Sequence, residues 1–148
     1  MEVTEKIKEY ENFVENKLKQ DLKDIETVLF NKSIENKEWT ELKIMVSTIE
    51  DFKSKDRDMN IHFHLNHDIN AFATISDYET TYVDVGLGYL LEMNATEATK
   101  YADIRLNLLR KEINHLRQLA VNVKVHIKLA LLAIAELQTT LTNDNKKQ

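Results

Sequence analysis

Cysteine and proline are absent from this chain, and glycine occurs only at Gly86 and Gly88. Without cysteine there is no disulfide framework, thiolate metal site or cysteine nucleophile, and the chain suits a reducing compartment. Enzymes that need strained loops, tight turns or phosphate cradles rarely manage with so few glycines. Aromatic residues make up 7% of the chain and charged residues 30%, a balance that is typical of solvated helices.

No block of lysine or arginine stands out, and the formal net charge is −5. We therefore expect no direct binding to nucleic acid through electrostatics. The first residues, MEVTEKIKEY, are charged and amphipathic, so we expect neither a secretion signal nor a membrane span, and no membrane partner. With 148 residues, of which 43% are hydrophobic, the chain is long enough for a single packed domain.

A ladder of apolar residues near the C-terminus is the strongest pattern in the sequence. Its steps alternate between four and three residues, the heptad rhythm that puts side chains on one seam of a long helix. The ladder consists of Ala102, Leu106, Leu109, Ile113, Leu116, Ala120, Val123, Ile127, Ala130, Ile134, Leu137 and Leu141. A helix from Asn94 to Leu141 would be roughly 70 Å long. Such a seam would be exposed on a lone helix, so another helix must cover it.

The first part of the chain offers that covering helix. No breaker occurs between Glu2 and Asp58, and apolar residues recur at helical spacing. The seam runs through Ile7, Tyr10, Val14, Leu18, Leu22, Ile25 and Leu29, and resumes at Trp39, Leu42, Val46, Ile49 and Phe52. In between, seam positions fall on Lys32 and Asn36, and the steps of three on either side of Trp39 predict local overwinding. Lys32 and Asn36 either fix the pairing register or face water where the seam drifts, and the pattern leaves both readings open.

Between Met59 and Met93 the apolar period changes from helical to two, which is typical of half-buried strands. The expected strands cover Ile61–Leu65, Ile69–Ile75, Thr80–Val85 and Tyr89–Glu92. Turn-forming residues at Ser76–Glu79 divide them into two hairpins. Because the strand edges need partners, we expect pairing with other subunits, and self-association of the chain on its own.

The sequence thus predicts an α+β fold that is mainly α, with two long helices forming an antiparallel coiled-coil hairpin joined by two short β-hairpins. The single subunit, 1–148, divides into an N-terminal coiled-coil helix (1–58), a β-hairpin assembly region (59–93), a C-terminal coiled-coil helix (94–142) and a frayed tail (143–148). Asn94 and Glu97 have the spacing of a capping box at the start of the second helix. Both termini would lie at the free end of the hairpin, opposite the strands.

Residues that could carry chemistry are few. His62, His64, His67 and Asp68 have metal-binding side chains, but the alternation favours the solvated face of a strand. Gly86-Leu87-Gly88 is too short for a phosphate loop, and its expected effect is to let a strand bend or bulge. No nucleophile–base–acid set has interpretable spacing. We therefore predict no enzymatic activity, no catalytic residue, no metal and no cofactor.

A resemblance to a known family rests on the second hairpin. Tyr82–Tyr89 reads YVDVGLGY and is followed by Leu91-Glu92 and Glu97-Ala98. This resembles the signature of α-type prefoldin subunits, in which a D-V-G-x-G-Y-like motif precedes the C-terminal helix. Helical segments that resemble one member of this family are Tyr10–Val14, Asp21–Lys23, Asn122–Ile127 and Ala135–Gln138. The section from Asn31 to Asp58 and the histidine-rich strand match poorly.

The resemblance implies a hetero-hexamer whose strands build a double β-barrel from which coiled-coil tentacles hang. The implied partners are other prefoldin and prefoldin-like subunits, namely a URI-like α-type partner and β-type subunits. The implied activity is that of a co-chaperone in cytoplasm and nucleus, holding unfolded or partly assembled clients such as RNA polymerase subunits. Transcription-cofactor activity, through binding to transcription factors, is also implied.

The layout and the resemblance together give two sets of site residues. The subunit-assembly set is Tyr82, Val83, Val85, Gly86, Gly88, Tyr89 and Leu91. The client-contact set, at the tentacle tip, is Val3, Ile7, Tyr10, Phe13, Ile134, Leu137 and Leu141. Two alternatives stay open. The chain could belong to the general prefoldin that delivers actin and tubulin to the chaperonin, or be an adaptor coiled-coil hairpin that binds transcription factors outside a hexamer.

Overall fold

The computed structural model describes residues 2–145 of the chain, with side chains for residues 3–143. Helix α1 (Glu2–Phe13) leads through a π-helical segment (Val14–Leu18) into helix α2 (Lys19–Ser54). Strands β1 (Met59–Asn66), β2 (Ile69–Ile75), β3 (Thr81–Gly86) and β4 (Tyr89–Met93) follow, and helix α3 (Ala95–Asn145) ends the described chain. The structure is therefore mainly helical with two small antiparallel strand pairs, which confirms the predicted class.

Contacts divide the chain into two compact units. The first, the helical unit, consists of Met1–Ile34 and Arg110–Gln148. The second, the strand unit, consists of Glu35–Leu109 and contains both hairpins.

In both units the seams predicted from the sequence are covered faces of the helices, except at Tyr10, which is 43% exposed. Every ladder residue of α3 is buried or half-buried, with Ile113 at 8% and Ala120 at 6% exposure. In the helical unit, ion pairs cross between the two segments of the chain, from Lys32 to Glu112 at 2.9 Å and from Lys124 to Glu26 at 3.1 Å. Lys32 is half-buried and pairs across the seam, so it does not simply face water.

The π-helical segment Val14–Leu18 is not among the elements that the sequence predicts. The backbone N–H of Lys19 donates to the carbonyl of Val14, five residues earlier, and Val14 and Leu18 are buried. The sequence does carry a signal for it, since the seam steps from Tyr10 through Val14 and Leu18 to Leu22 are all four residues. The π turn takes up the extra residue and keeps the apolar side chains on one face.

Helix α2 ends at Ser54, four residues before the predicted end at Asp58. Asp56 has a φ of 50°, and its N–H donates to the carbonyl of Lys53, while the N–H of Arg57 donates to the carbonyl of Phe52, both at 3.2 Å. This is a Schellman C-cap with Asp56 in the position that glycine usually takes. The Arg57 guanidinium lies 5.0 Å from the centre of the Phe52 ring, which adds the side-chain contact that often accompanies this motif.

Helix α3 begins with the predicted capping box. The N–H of Glu97 donates to Asn94 Oδ1 at 2.9 Å, and the N–H of Asn94 donates to Glu97 Oε2 at 3.0 Å. These bonds satisfy backbone donors that the first helical turn leaves free. At its other end the helix continues to Asn145, so 143–145 of the expected frayed tail are helical, and 146–148 lie outside the described residues.

The core of the strand unit joins the helices to the second hairpin. Val46 of α2, Val83 of β3, Met93 of β4 and Ala98 of α3 are buried together. Partly buried residues that pack around this core are Trp39, Leu42, Val85, Ala95 and Tyr101. Ion pairs again cross between α2 and α3, from Lys43 to Asp103 at 2.7 Å and from Arg105 to Glu35 at 2.6 Å.

Candidate assembly surfaces

The β3–β4 hairpin turns through the glycine motif. Gly86, Leu87 and Gly88 have φ values of 100°, 56° and 77°, and the strand register shifts between Asp84 and Gly86. The Asp84 carboxylate accepts a hydrogen bond of 2.8 Å from the N–H of Gly86. The glycine motif therefore forms a bulge and a tight turn, as the sequence predicts, and glycine suits the positive φ values.

One face of this hairpin is committed to the core of its own chain. Val83 is 2% exposed, Met93 is 7% exposed, and Val85 is half-buried. Val83 and Val85 both belong to the predicted subunit-assembly set. Since they pack against helices α2 and α3, they hold the hairpin in place and leave direct contact to its exposed residues.

The remaining predicted assembly residues are accessible. Tyr82, Tyr89 and Leu91 are 65%, 69% and 52% exposed. Leu90, which lies opposite Asp84 in the ladder, is 65% exposed, and Leu87 at the tip is 97% exposed. Neither Leu87 nor Leu90 belongs to the predicted subunit-assembly set, because that set follows the family motif and not the face of the strand. Tyr82 and Leu90 are thus left largely uncovered by the described residues, as is typical of apolar residues at an interaction surface.

The edges of the two small sheets are a second feature that could take part in assembly. In the part of the chain that the structure describes, β1 pairs only with β2, and β3 pairs only with β4, both antiparallel. Each two-stranded sheet therefore presents edges whose backbone donors and acceptors have no strand beside them. Edges of this kind add strands from other chains.

The β1–β2 hairpin carries the histidines on a face of paired side chains. The His62 ring stacks on Phe72 with centres 4.6 Å apart, and the Thr74 hydroxyl donates to Asn60 Oδ1 at 2.9 Å. His64 and Asn70 form a hydrogen bond across the strands. His67 lies beyond the strand end, and within residues 2–145 no three metal-ligating side chains come together. His62 and His64 thus lie on an exposed face of cross-strand pairs, which is the interpretation that the alternation favours.

The predicted client-contact residues are largely covered. Ile7 and Ile134 are 8% and 7% exposed, and Val3, Leu137 and Leu141 are half-buried. Tyr10 and Phe13 are 43% and 50% exposed. Those two aromatic residues are therefore the part of this set that another molecule can reach without opening the helical unit.

Known proteins are similar in sequence to this chain over most of its length. The family model described as "Prefoldin subunit" matches residues 25–140. The UXT homolog of Nematostella vectensis is 28% identical over 137 residues, covering 93% of this chain and 86% of that protein. Protein UXT of Homo sapiens is 26% identical over 134 residues, covering 90% and 84%. The UXT homolog of Dictyostelium discoideum is 27% identical over 140 residues, covering 89% and 81%.

These matches confirm the resemblance predicted from the glycine motif. The prefoldin and UXT families are non-enzymatic chaperone-type proteins, and prefoldin subunits assemble with other prefoldin-like subunits. The exposed strand edges and apolar hairpin residues agree with that mode of assembly. The chain belongs to the prefoldin family and is a UXT-like prefoldin subunit.

Proposed function

We propose that this chain is a non-enzymatic co-chaperone subunit of a prefoldin-like hetero-hexamer that holds unfolded or partly assembled client proteins. Its partners are a URI-like α-type subunit and β-type subunits, and its clients include RNA polymerase subunits. It acts in cytoplasm and nucleus, where contact with transcription factors gives it cofactor activity. Similarity to UXT proteins favours this prefoldin-like complex over the general prefoldin.

The observation that carries the proposal is that the two hairpins have unpaired strand edges and exposed apolar side chains. Both have free edges, and Tyr82, Tyr89 and Leu90 expose most of their surface. Two-stranded hairpins are marginal alone, so a barrel shared between subunits is the structure in which these groups are satisfied. In that assembly the continuous segment from α1 to α2 and helix α3 form one antiparallel coiled-coil tentacle. This arrangement agrees with ion pairs that join Lys32 to Glu112 and Lys124 to Glu26.

Client contact at the tentacle tip is supported by the exposure of Tyr10 and Phe13. Aromatic side chains offer large apolar area, and several weak patches on one assembly raise avidity through effective concentration. This mechanism uses neither ATP nor a metal.

Affinity purification of the full chain, followed by mass spectrometry, tests the assembly directly. We expect URI-like and β-type prefoldin subunits to co-purify in a complex of hexamer size. Recovery of the α-type subunit of general prefoldin in place of the URI-like one would assign the chain to the alternative hexamer. A stable, soluble monomer with intact strands would favour the adaptor function.

The double substitution Tyr82→Ala with Leu90→Ala tests the surface. Both side chains are exposed in the isolated chain, so helix content by circular dichroism should not change. Co-purification should fall by at least about tenfold, since truncating aromatic anchors of interfaces costs about 2 kcal/mol or more. The matched control is Ile104→Ala, which removes a side chain that is 66% exposed on α3. Equal recovery of partners with the double variant and with the control would contradict the proposed surface.

A further inference from the structure

Helix α3 has a second apolar face, separate from the ladder. Val121, Val125, Leu129 and Leu132 follow one another in steps of four, four and three, so they lie on one side of the helix. They are 52%, 50%, 59% and 55% exposed. We call these four residues the outer stripe. The N-terminal segment from α1 to α2 covers the ladder of α3, and it leaves the outer stripe exposed.

The sequence around the outer stripe is unusually basic for this chain. Between Glu112 and Glu136 there is no acidic residue, although the whole chain carries a net charge of −5. Arg117 lies one turn before Val121, and Lys128 lies between Val125 and Leu132 on the same side of the helix. Both are exposed, and within residues 2–145 neither has an ion-pair partner, whereas Lys124 pairs with Glu26. The outer stripe is therefore an apolar surface flanked by free positive charge.

The extent of the apolar surface indicates that something covers it. Within Ala95–Asn143 an 18-residue stretch is long and apolar enough to span a membrane by composition, and only 11% of it is buried. A helix that is apolar on all sides is normally enclosed, by protein or by lipid. Insertion into lipid would separate Lys124 from Glu26 and uncover the ladder, so the packing of the helical unit favours protein.

We propose that the outer stripe is a docking site for an amphipathic helix of a partner protein, with acidic residues flanking the apolar face of that helix. Apolar side chains spaced by three and four residues would pack against Val125 and Leu129, and carboxylates beside them would reach Arg117 and Lys128. A second copy of this chain would bring the same basic residues face to face, so like charges disfavour it. None of the four residues of the outer stripe belongs to the client-contact set or to the strands.

Two designed peptides test the charge preference on the full-length protein. One is a helical peptide with leucines at i, i+4, i+7 and i+11 flanked by glutamates, and the other has lysine at every glutamate. In fluorescence anisotropy we expect the glutamate peptide to bind at least about tenfold more tightly than the lysine peptide. Raising the salt concentration should reduce this preference. Equal affinity for the two peptides would overturn the proposal.

Substitutions locate the binding surface. Val125→Gln combined with Leu129→Gln should weaken binding of the glutamate peptide by about tenfold or more, because it removes the apolar centre of the site. Arg117→Glu combined with Lys128→Glu should reverse the preference in favour of the lysine peptide. The matched control, Ile104→Gln, changes a side chain on the same helix that is 66% exposed and outside the outer stripe, and it should leave binding unchanged. Circular dichroism checks that every variant keeps its helix content.

The same variants distinguish an acidic helix from two other possible occupants of the outer stripe, a second copy of the chain and a lipid surface. If Val125→Gln with Leu129→Gln abolishes self-association in analytical ultracentrifugation and does not affect peptide binding, the stripe joins two copies of the chain. If phosphatidylcholine vesicles bind the unmodified protein and not this variant, the stripe is a lipid-binding surface. Either result would overturn the proposal of an acidic helix.

Discussion

The two hairpins have similar pairing, yet only one of them is anchored in the core of the chain. Hairpin β3–β4 buries Val83 and Met93 against Val46 and Ala98. Hairpin β1–β2 contains no fully buried residue, and Phe72 is 84% exposed. The first is therefore part of the fold of the isolated subunit. The second is held by its own strand pairing, and we expect its apolar face to be completed by neighbouring subunits.

The two hairpins are therefore held in place by different interactions. The anchored hairpin fixes the position of Tyr82 and Leu90 relative to the helices, because its opposite face is locked into the core. On β1–β2 the pairing of His62 with Phe72 and of Thr74 with Asn60 keeps the strands in register. Local stability should then be high in β3–β4 and low in β1–β2.

The largest expected effect on stability comes from a threonine hydroxyl introduced into β3–β4, compared with the same group introduced into β1–β2. Val83→Thr puts a polar group into a site that is 2% exposed, and it should lower the free energy of unfolding by about 1–3 kcal/mol. Ile61→Thr in β1, at a half-buried position, should change it by about 0.5 kcal/mol or less. Urea denaturation followed by circular dichroism measures both. Equal losses would mean that β1–β2 is as firmly anchored as β3–β4.

An increase in the free energy of unfolding is expected from a substitution at the tip of β3–β4. Leu87 has a φ of 56°, a conformation that costs most residues about 1–2 kcal/mol, and its side chain is 97% exposed. Leu87→Asn would create an Asn-Gly turn and should raise the free energy of unfolding by about 1 kcal/mol. Gly88→Ala, at a φ of 77°, should lower it by about 1–2 kcal/mol. A loss of stability in Leu87→Asn would show that Leu87 makes a stabilising contact.

The smallest effect is expected on the histidine face. Phe72→Ala removes the stacking partner of His62 and should cost about 0.2–1 kcal/mol, the usual range for a cross-strand pair. Hydrogen exchange should show faster exchange of β1–β2 amides and unchanged exchange in β3–β4. Faster exchange in both hairpins would reveal coupling between them and would weaken the distinction.

Much of this architecture follows from simple periodicities. The ladder from Ala102 to Leu141 predicts the covered face of α3, and period-two alternation gives all four strands within about two residues of their ends. The capping box at Asn94 is set by local chemistry alone, so the sequence is sufficient to find it.

Other features depend on information that local patterns lack. The Schellman cap at Asp56 has no glycine to announce it, and the early end of α2 therefore escapes prediction. The alternation in β3 shows that Val83 and Tyr82 face opposite sides, but not which side meets the helices. The outer stripe of α3 is visible as composition, yet only the structure shows that the first helix leaves it open.

The π-helical segment at Val14–Leu18 makes the surface that α1 presents depend on the conformation of one turn. One residue corresponds to about 100° of rotation around a helix axis. If this segment became α-helical with no residue removed, every side chain of α1 would turn by about that angle relative to α2, and Ile7 would leave the covered side. Deleting one residue within the segment would cancel that rotation, because the seam steps would again alternate between three and four residues. A one-residue deletion here should therefore be tolerated better than a change that straightens the turn at constant length.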